Sequence, residues 1–250
     1  MPTAVLIDGG YFVKRFRRIE PHNAYNPERA AELAHRWALA HLTSSGCDRR
    51  DLYRIFFYDC PPLRKRMHNP ISGVCIDYAR SPEALFRVAL HDALKQKRKV
   101  ALRLGHLADS NAWTTDSRTL DALLKGKRTF SALLPSELHP EVRQKGVDMR
   151  IGLDISSLSL KRQVRQIVLV AGDSDFIPAA KLARREGVDF VLDPMWSAIP
   201  PGLLEHIDGV RSTCPRPAFR HETWGAKASA AGSDQTHRRA WPGAAQGDDL

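Results

Sequence analysis

Short, nearly continuous apolar runs alternate along the chain with longer stretches in which apolar residues recur every three or four positions. TAVLID (Thr3–Asp8) is too short for a helix and stops at Gly9-Gly10, so it is predicted as a buried strand. LYRIFFYD (Leu52–Asp59), stopped by Pro61-Pro62, reads as a second strand. In KVALRLGHL (Lys99–Leu107), Val100, Leu102 and Leu104 alternate as in a third. QIVLVAGDSDF (Gln166–Phe176) and VDFVLDP (Val188–Pro194) supply a fourth and a fifth.

Helical periodicity fills the gaps. Asn26-Pro27-Glu28 has the form of an N-cap with proline at the first helical position, and Leu33, Trp37, Ala40 and Ser44 follow at helical spacing until Gly46. Ser81-Pro82-Glu83 opens a second helix whose face is Leu85, Val88, Ala89 and Leu94. Ile151, Ile155 and Leu158 stripe a third after Lys145, and Phe176–Glu186 reads as a fourth, stopped by Gly187. Residues 108–140 show no clear element and are expected to form an insertion or a mobile loop. Strands alternating with helices predict an α/β fold, a parallel five-stranded sheet with helices on both faces. In such sheets, sites lie beyond the carboxyl ends of strands where strand order reverses. Asp8, Asp59, Asp173 and Asp193 all stand at predicted strand ends.

Composition sets the frame around this pattern. The 250 residues are 43% hydrophobic, enough for one domain over residues 1–211, with a basic insertion around 61–140. From Ser212 the composition shifts to Ala, Gly, Ser, Pro, Arg and His, so residues 212–250 are expected to be a disordered tail. No stretch is long and apolar enough to cross a bilayer, and Met1–Asp8 lacks the features of a signal peptide, so a cytoplasmic protein with no membrane partner is expected. Cys47, Cys60, Cys75 and Cys214 form no C-x-x-C pair and carry no zinc spacing. Formal net charge is +10, and residues 61–130 hold 14 Lys and Arg against 6 Asp and Glu. Arg64–Arg66, Lys95–Lys99 and Lys125–Arg128 carry much of that excess, which points to a polyanionic partner or simply to a solvated face.

The carboxylates decide which chemistry fits. At 100° per residue, Asp148 and Asp154 flank the Ile151, Ile155, Leu158 stripe at about 60° on either side, so both lean toward whatever the helix packs against. Taken singly, Asp148 and Asp175 read as helix caps and Asp173 as a turn residue. Together, sheet logic brings Asp8 and Asp173 to one end with Asp175 a short turn away, and clustered carboxylates repel unless a cation compensates them. An oxygen-only donor set favours Mg²⁺ or Mn²⁺, whose natural chemistry is phosphodiester hydrolysis. Other classes lack their residues. There is no G-x-G-x-x-G after the first strand, no Walker-type loop and no G-x-S-x-G around Ser174, and position 10 is glycine where an aspartyl-phosphate enzyme needs a second carboxylate.

LIDGGYF (Leu6–Phe12), RIFFYDCPP (Arg54–Pro62), RLGHL (Arg103–Leu107), KGVDMRIGLDISSLS (Lys145–Ser159) and LVAGDSDFIPAAKLARREGVDFVL (Leu169–Leu192) resemble, in this order, the NYN domain, the LabA-like branch of the PIN-like nuclease superfamily. The resemblance spans roughly Thr3 to Leu192. It implies a three-layer, Rossmannoid PIN-like fold with acidic side chains gathered at one end to bind Mg²⁺ or Mn²⁺ for ribonuclease activity. Carried over, the metal ligands are Asp8, Asp148, Asp173 and Asp175, with Asp154 joining the catalytic set as a ligand or an orienting group. Lys145 and Ser174 are expected beside the phosphate. Arg64, Lys65, Arg66, Lys95, Lys97 and Arg98 are expected to hold the RNA, single-stranded or structured. A non-catalytic RNA-binding or regulatory module is the alternative, and a homo-oligomer is left open. One position departs from the pattern: Tyr11 stands where many PIN-like relatives carry asparagine.

Overall fold

The computed structural model describes residues 2–44 and 48–217. Strand β1 (Thr3–Asp8) runs directly into helix α1 (Gly9–Ile19), followed by α2 (Pro27–Ser44) and β2 (Leu52–Asp59). A short hairpin of β3 (Arg66–His68) and β4 (Cys75–Asp77) precedes α3 (Pro82–Lys95) and β5 (Val100–Leu104). A longer hairpin pairs β6 (His106–Thr115), by way of α4 (Ser117–Leu124), with β7 (Leu138–Lys145). The chain then returns through α5 (Val147–Leu160), β8 (Gln166–Val170), α6 (Ile177–Arg185), β9 (Asp189–Asp193), α7 (Pro201–Leu204) and β10 (Gly209–Val210).

The central sheet has the order β10-β9-β8-β1-β2-β5, and every pairing in it is parallel. It holds six strands, one more than the apolar runs predict, because β10 contributes only two residues against Val191 and Leu192. A two-residue strand carries no periodicity to read. Strand alternation divides the core between two faces. Val5, Ile7, Ile55, Phe57, Val168 and Val170 pack with Phe12, Phe16, Leu33, Trp37 and Leu90 of α1, α2 and α3. Leu6, Phe56, Tyr58, Ile167, Leu169 and Phe190 pack on the other side with Ile151, Ile155, Leu158, Ala180 and Ala183 of α5 and α6. The result is a three-layer α/β sandwich.

Helix α1 has no counterpart in the predicted elements, although Phe12, Phe16 and Ile19 recur at helical spacing on it. Gly9-Gly10 reads as a strand stop, and it is also a helix start. A Cβ on Gly9 would stand 2.6 Å from the Tyr58 carbonyl oxygen and from the Phe57 ring, so glycine lets the first helical turn lie against β2.

Three further expectations are corrected. Residues 108–140 are not an unstructured insertion, since β6, α4 and β7 occupy most of them. Among the described residues these strands pair only with each other, and β7 is mostly exposed with Pro140 in its ladder, so neither shows the one-faced alternation that marks a half-buried strand. The predicted third strand also breaks at Gly105, where the chain leaves the sheet for this arm. There a Cβ would meet the Lys145 carbonyl oxygen at 2.6 Å, and the Gly105 N–H donates to Asp59 O at 2.8 Å. At the other end of the fold, the composition shift at Ser212 does not mark where packing stops. Thr213 Oγ1 donates to Trp37 O at 2.9 Å and Cys214 is buried. The expected tail from residue 218 onward, Gly46 and Cys47 lie outside the described residues. Among the described residues, no helix is long and apolar enough to cross a membrane.

Two of the strand-end aspartates clamp helices to the sheet. Asp59, fully buried, accepts from Arg87 Nη1 at 2.5 Å and faces His91 Nε2 at 2.8 Å, both on α3. Burial alone would raise its pKa, but His91 and Arg87 outweigh that and hold it below the ordinary range. Asp193 faces His41 Nε2 of α2 at 2.9 Å, with both side chains buried. Removing one member of such a pair leaves an uncompensated polar or charged group inside. Asp59→Ala is therefore expected to destabilise the protein by about 3–5 kcal/mol, read as a lower urea midpoint with an unchanged slope.

Candidate metal and nucleic-acid site

The sheet places the site through its topology. From β1 the chain builds outward to β2 and β5, then crosses back to add β8, β9 and β10 on the other side, so strand order reverses between β1 and β8. These two strands are neighbours in register, Ile7 beside Val170; Asp8 ends β1, and Asp173 comes three residues after β8, at the same carboxyl end. A crevice opens at such a reversal because the connections on either side diverge.

Asp8 caps α1, its Oδ1 accepting from the Tyr11 N–H at 3.0 Å. Its carboxyl is pushed up from 3.8 to about 6, first by burial and then by the charges of Asp148 and Asp59, against the opposing pull of the Tyr11 N–H. Asp148 sits in the first turn of α5, which begins near the same end of the sheet because Gly105 and Lys145 are in contact there. Its pKa is also raised, by burial and by Asp173 and Asp175. Asp173, Ser174 and Asp175 are exposed on the turn after β8. These four aspartates therefore share one electrostatic neighbourhood, and none of them makes an ion pair among the described residues.

The local roles differ from the capping assignments that spacing suggests. Asp173 is the cap, accepting from the Asp175 N–H at 3.1 Å, while the side chain of Asp175 caps nothing among the described residues. Asp148 is not an N-cap either. Gly146 holds that position at φ 79°, a left-handed conformation that suits glycine.

Asp154 does not join the cluster. Tyr58 donates its hydroxyl to Asp154 Oδ2 at 2.8 Å, and Arg103 of β5 pairs with the same oxygen at 3.2 Å. The helical wheel gave its face correctly but not its partners. Six residues beyond Asp148 it lies about 9 Å further along α5, and its partners stand on β2 and β5. Its negative charge in turn discourages ionisation of the Tyr58 phenol, whose pKa burial already raises.

The basic residues divide in the same way. Arg64, Lys65 and Arg66 follow the carboxyl end of β2, on the same side as the acidic cluster, and Lys65 donates to Asn111 Oδ1 of the arm. Arg66 also pairs with Asp77 at 3.3 Å. Lys95, Lys97 and Arg98 precede β5 and so stand at the amino end of the parallel sheet, opposite the carboxylates. A strand held by those three would not lie in this cleft. Lys145 is exposed at the base of the arm, opposite His106, and makes no ion pair among the described residues.

Tyr11, the departure from the resemblance, is committed to structure. Its ring covers Gly172, where a Cβ would come within 2.4 Å of it, and its hydroxyl donates to Pro194 O at 2.5 Å. It ties the turn after β9 to the helix that Asp8 caps, a role that a shorter asparagine could not reach to fill.

Comparison with known families falls on this region. Residues 88–198 match the family model of the NYN domain. The NYN match runs from within α3 to just past β9, so it takes in Lys145, Asp148, Asp173 and Asp175. It leaves out β1, and Asp8 joins the NYN-matched carboxylates only through the register of β1 with β8. The NYN domain belongs to the PIN-like nuclease superfamily. No curated protein matches the chain.

The donor set is of a kind that suits a hard divalent cation: carboxylate oxygens only, partly open to water, with two pKa values raised by burial and by neighbouring carboxylates. Among the described residues no three His, Cys, Asp or Glu side chains converge closely enough to hold an ion by themselves. Mg²⁺ needs only one or two carboxylates when water and substrate phosphate complete its shell. Arg15, His41, Asp59 and His91, all buried polar groups near this end, are not legible as partners from spacing. They meet only through the sheet.

The raised value of Asp8 has a testable sign. A carboxyl with a folded pKa above 3.8 binds its proton more tightly when folded, so its contribution to stability is present below about pH 4 and lost as pH rises through about 6. In EDTA, Asp8→Asn should gain stability relative to wild type between pH 4.5 and 7.5. Urea denaturation at the two pH values checks this, and a difference that does not change with pH would mean Asp8 ionises normally.

Proposed function

We propose that the protein is a metal-dependent ribonuclease that hydrolyses RNA phosphodiester bonds in the crevice beyond β1 and β8. The observation that carries this reading is the unequal treatment of the aspartates at one end of the sheet. Asp59 and Asp193 are buried against histidine, with Arg87 also on Asp59, whereas Asp8, Asp148, Asp173 and Asp175 are left without a cation among the described residues. Unmet negative charge at a strand-order reversal is what a cation-dependent phosphoryl site needs.

Asp8 and Asp173 are assigned as the central holders of Mg²⁺ or Mn²⁺, with Asp148 and Asp175 completing the set. When bound, such an ion activates water and stabilises the leaving oxygen. The side chains supply the rest. Lys145, exposed at the mouth of the arm, is assigned to the phosphate, and Ser174 would offer a hydroxyl between the two acids. Arg64 and Arg66 supply positive potential on the same side, which draws a polyanion toward an otherwise repulsive pocket. Asp154 is assigned to holding Tyr58 and Arg103 in place.

A second reading, an RNA-binding protein without turnover, is favoured by the spacing of the carboxylates, of which no three converge, and by the commitment of Tyr11 to Pro194. One assay separates the two. With Mn²⁺ and single-stranded RNA, wild type should cleave and Asp173→Asn should lose at least about 100-fold in rate. RNA that binds but stays intact with either metal would favour the second reading. Equal cleavage by both proteins would remove Asp173 from the site.

The placement of the basic residues makes its own prediction. Charge-neutralising substitution of Arg64 and Arg66 should weaken RNA binding uniformly across sequences and lower the salt slope by about 1 to 2, whereas the same change at Lys97 and Arg98 should leave both nearly unaltered. Filter binding over a salt series reads the two cases apart.

A further inference from the structure

The turn after β9 presents an aromatic ring at the same end of the sheet as the carboxylates. Asp193 is in register with Val170 of β8, and Val170 with Ile7 of β1, so residues 194–196 leave the sheet beside the segments that carry Asp8 and Asp173. Tyr11 links the two directly, its N–H on Asp8 and its hydroxyl on Pro194 O.

This turn is unusual in its backbone. Met195 and Trp196 both have positive φ, 45° and 64°, a region that bulky residues rarely enter. The conformation is held from several sides. Asp193 Oδ1 accepts from the Met195 N–H at 2.7 Å, and Arg15 donates to Met195 O through Nε at 3.0 Å and Nη2 at 2.5 Å. The Ser197 N–H donates to Pro194 O at 2.8 Å, and the Trp196 N–H donates to Ser212 Oγ at 3.1 Å. Arg15, Asp193 and Met195 are all buried, at 6%, 2% and 1% exposure. What this buried frame delivers to the surface is the indole of Trp196, 47% exposed.

The indole itself is fixed. Its Nε1–H donates to Cys214 O at 2.8 Å, and the Arg216 guanidinium lies 5.6 Å from the ring centroid. Single exposed apolar side chains are ordinary on a protein surface. An over-determined, left-handed backbone that turns the largest apolar side chain outward is a preorganised face, and strain of this kind concentrates at ligand clamps. Ser212 and Arg216 stand beside it, and a polar and a cationic group next to an exposed ring suit a nucleotide.

We propose that Trp196, with Arg216 beside it, is a stacking platform for one base of single-stranded RNA approaching the carboxylate cleft, an assignment that rests on the RNA-directed function proposed above. A rigid aromatic face is sequence-tolerant, since every base has a π surface, and a neighbouring guanidinium adds attraction for the backbone phosphate. The platform would fix how far the strand reaches past the cleft and thereby its position over the carboxylates.

The test compares wild type, Trp196→Phe and Trp196→Leu in anisotropy titrations with a labelled single-stranded oligoribonucleotide, in EDTA so that the strand stays intact. Both variants lose the indole N–H bond to Cys214, and only phenylalanine keeps a ring, so disturbance of the turn is common to them. Leucine should weaken binding about 5- to 100-fold and phenylalanine by no more than about threefold. Equal affinity of all three, or equal loss in both variants, overturns the platform and leaves the nuclease reading untouched. If wild type itself does not bind, the platform falls as well, and the Mn²⁺ cleavage assay decides separately on the nuclease.

Discussion

The lateral pairing of β1 with β8 is the constraint on which the rest of the site depends. These strands are about 160 residues apart in sequence, yet they are hydrogen-bonded neighbours with Val5 beside Val168 and Ile7 beside Val170. Because parallel register is fixed by which side chains reach each face, a slip of one residue would send Val5 and Ile7 to the face of α5 and α6. Burial on both sides therefore locks the register, and the register sets Asp8 beside the turn that bears Asp173. The stability of the two apolar layers and the geometry of the acidic crevice are one physical arrangement.

Around that crevice the fold sorts like residues into unlike roles by what packs behind them. Asp59 lies under α3 and meets Arg87 and His91, and Asp193 lies under α2 and meets His41. Among the described residues no basic side chain pairs with Asp8 or Asp173, which stand where strand order reverses. The same residue type is thus a helix clamp at two strand ends and an electrostatically frustrated carboxylate at two others. Tyr11 joins the two kinds of site, since the helix capped by Asp8 carries the hydroxyl that braces the turn after β9.

The arm built from β6 and β7 shows how connections add to a shared framework. Its base is pinned where Gly105 meets Lys145, so Lys145 and the start of α5 are held at the mouth of the crevice. Its outer part makes no strand pairing with the central sheet. The arm is consequently free to present basic and apolar side chains without disturbing the core.

The five longer strands of the sheet and four of the helices were legible from apolar runs, helical spacing and the Asn26-Pro27 and Ser81-Pro82 starts, because burial of one or both faces writes itself into local pattern. Asp8, Asp148, Asp173 and Asp175 were legible as strand-end and helix-face carboxylates for the same reason. Other features had no local signature. The two-residue β10 and the two-stranded arm bury too little to impose a period, and Gly9-Gly10 signals a strand stop and a helix start equally well. Asp154 was placed on the right face but without its partners, because a wheel records angle and not which strand residues lie opposite. Lys95, Lys97 and Arg98 were grouped with Arg64–Arg66 by charge alone, and only the direction of β5 puts them at the far end. The sequence by itself determined which segments are strands and helices and which carboxylates end them, since those follow from short-range periodicity. Tertiary structure alone decided which carboxylates are neutralised and which are left facing one another, since that depends on partners brought together across the sheet.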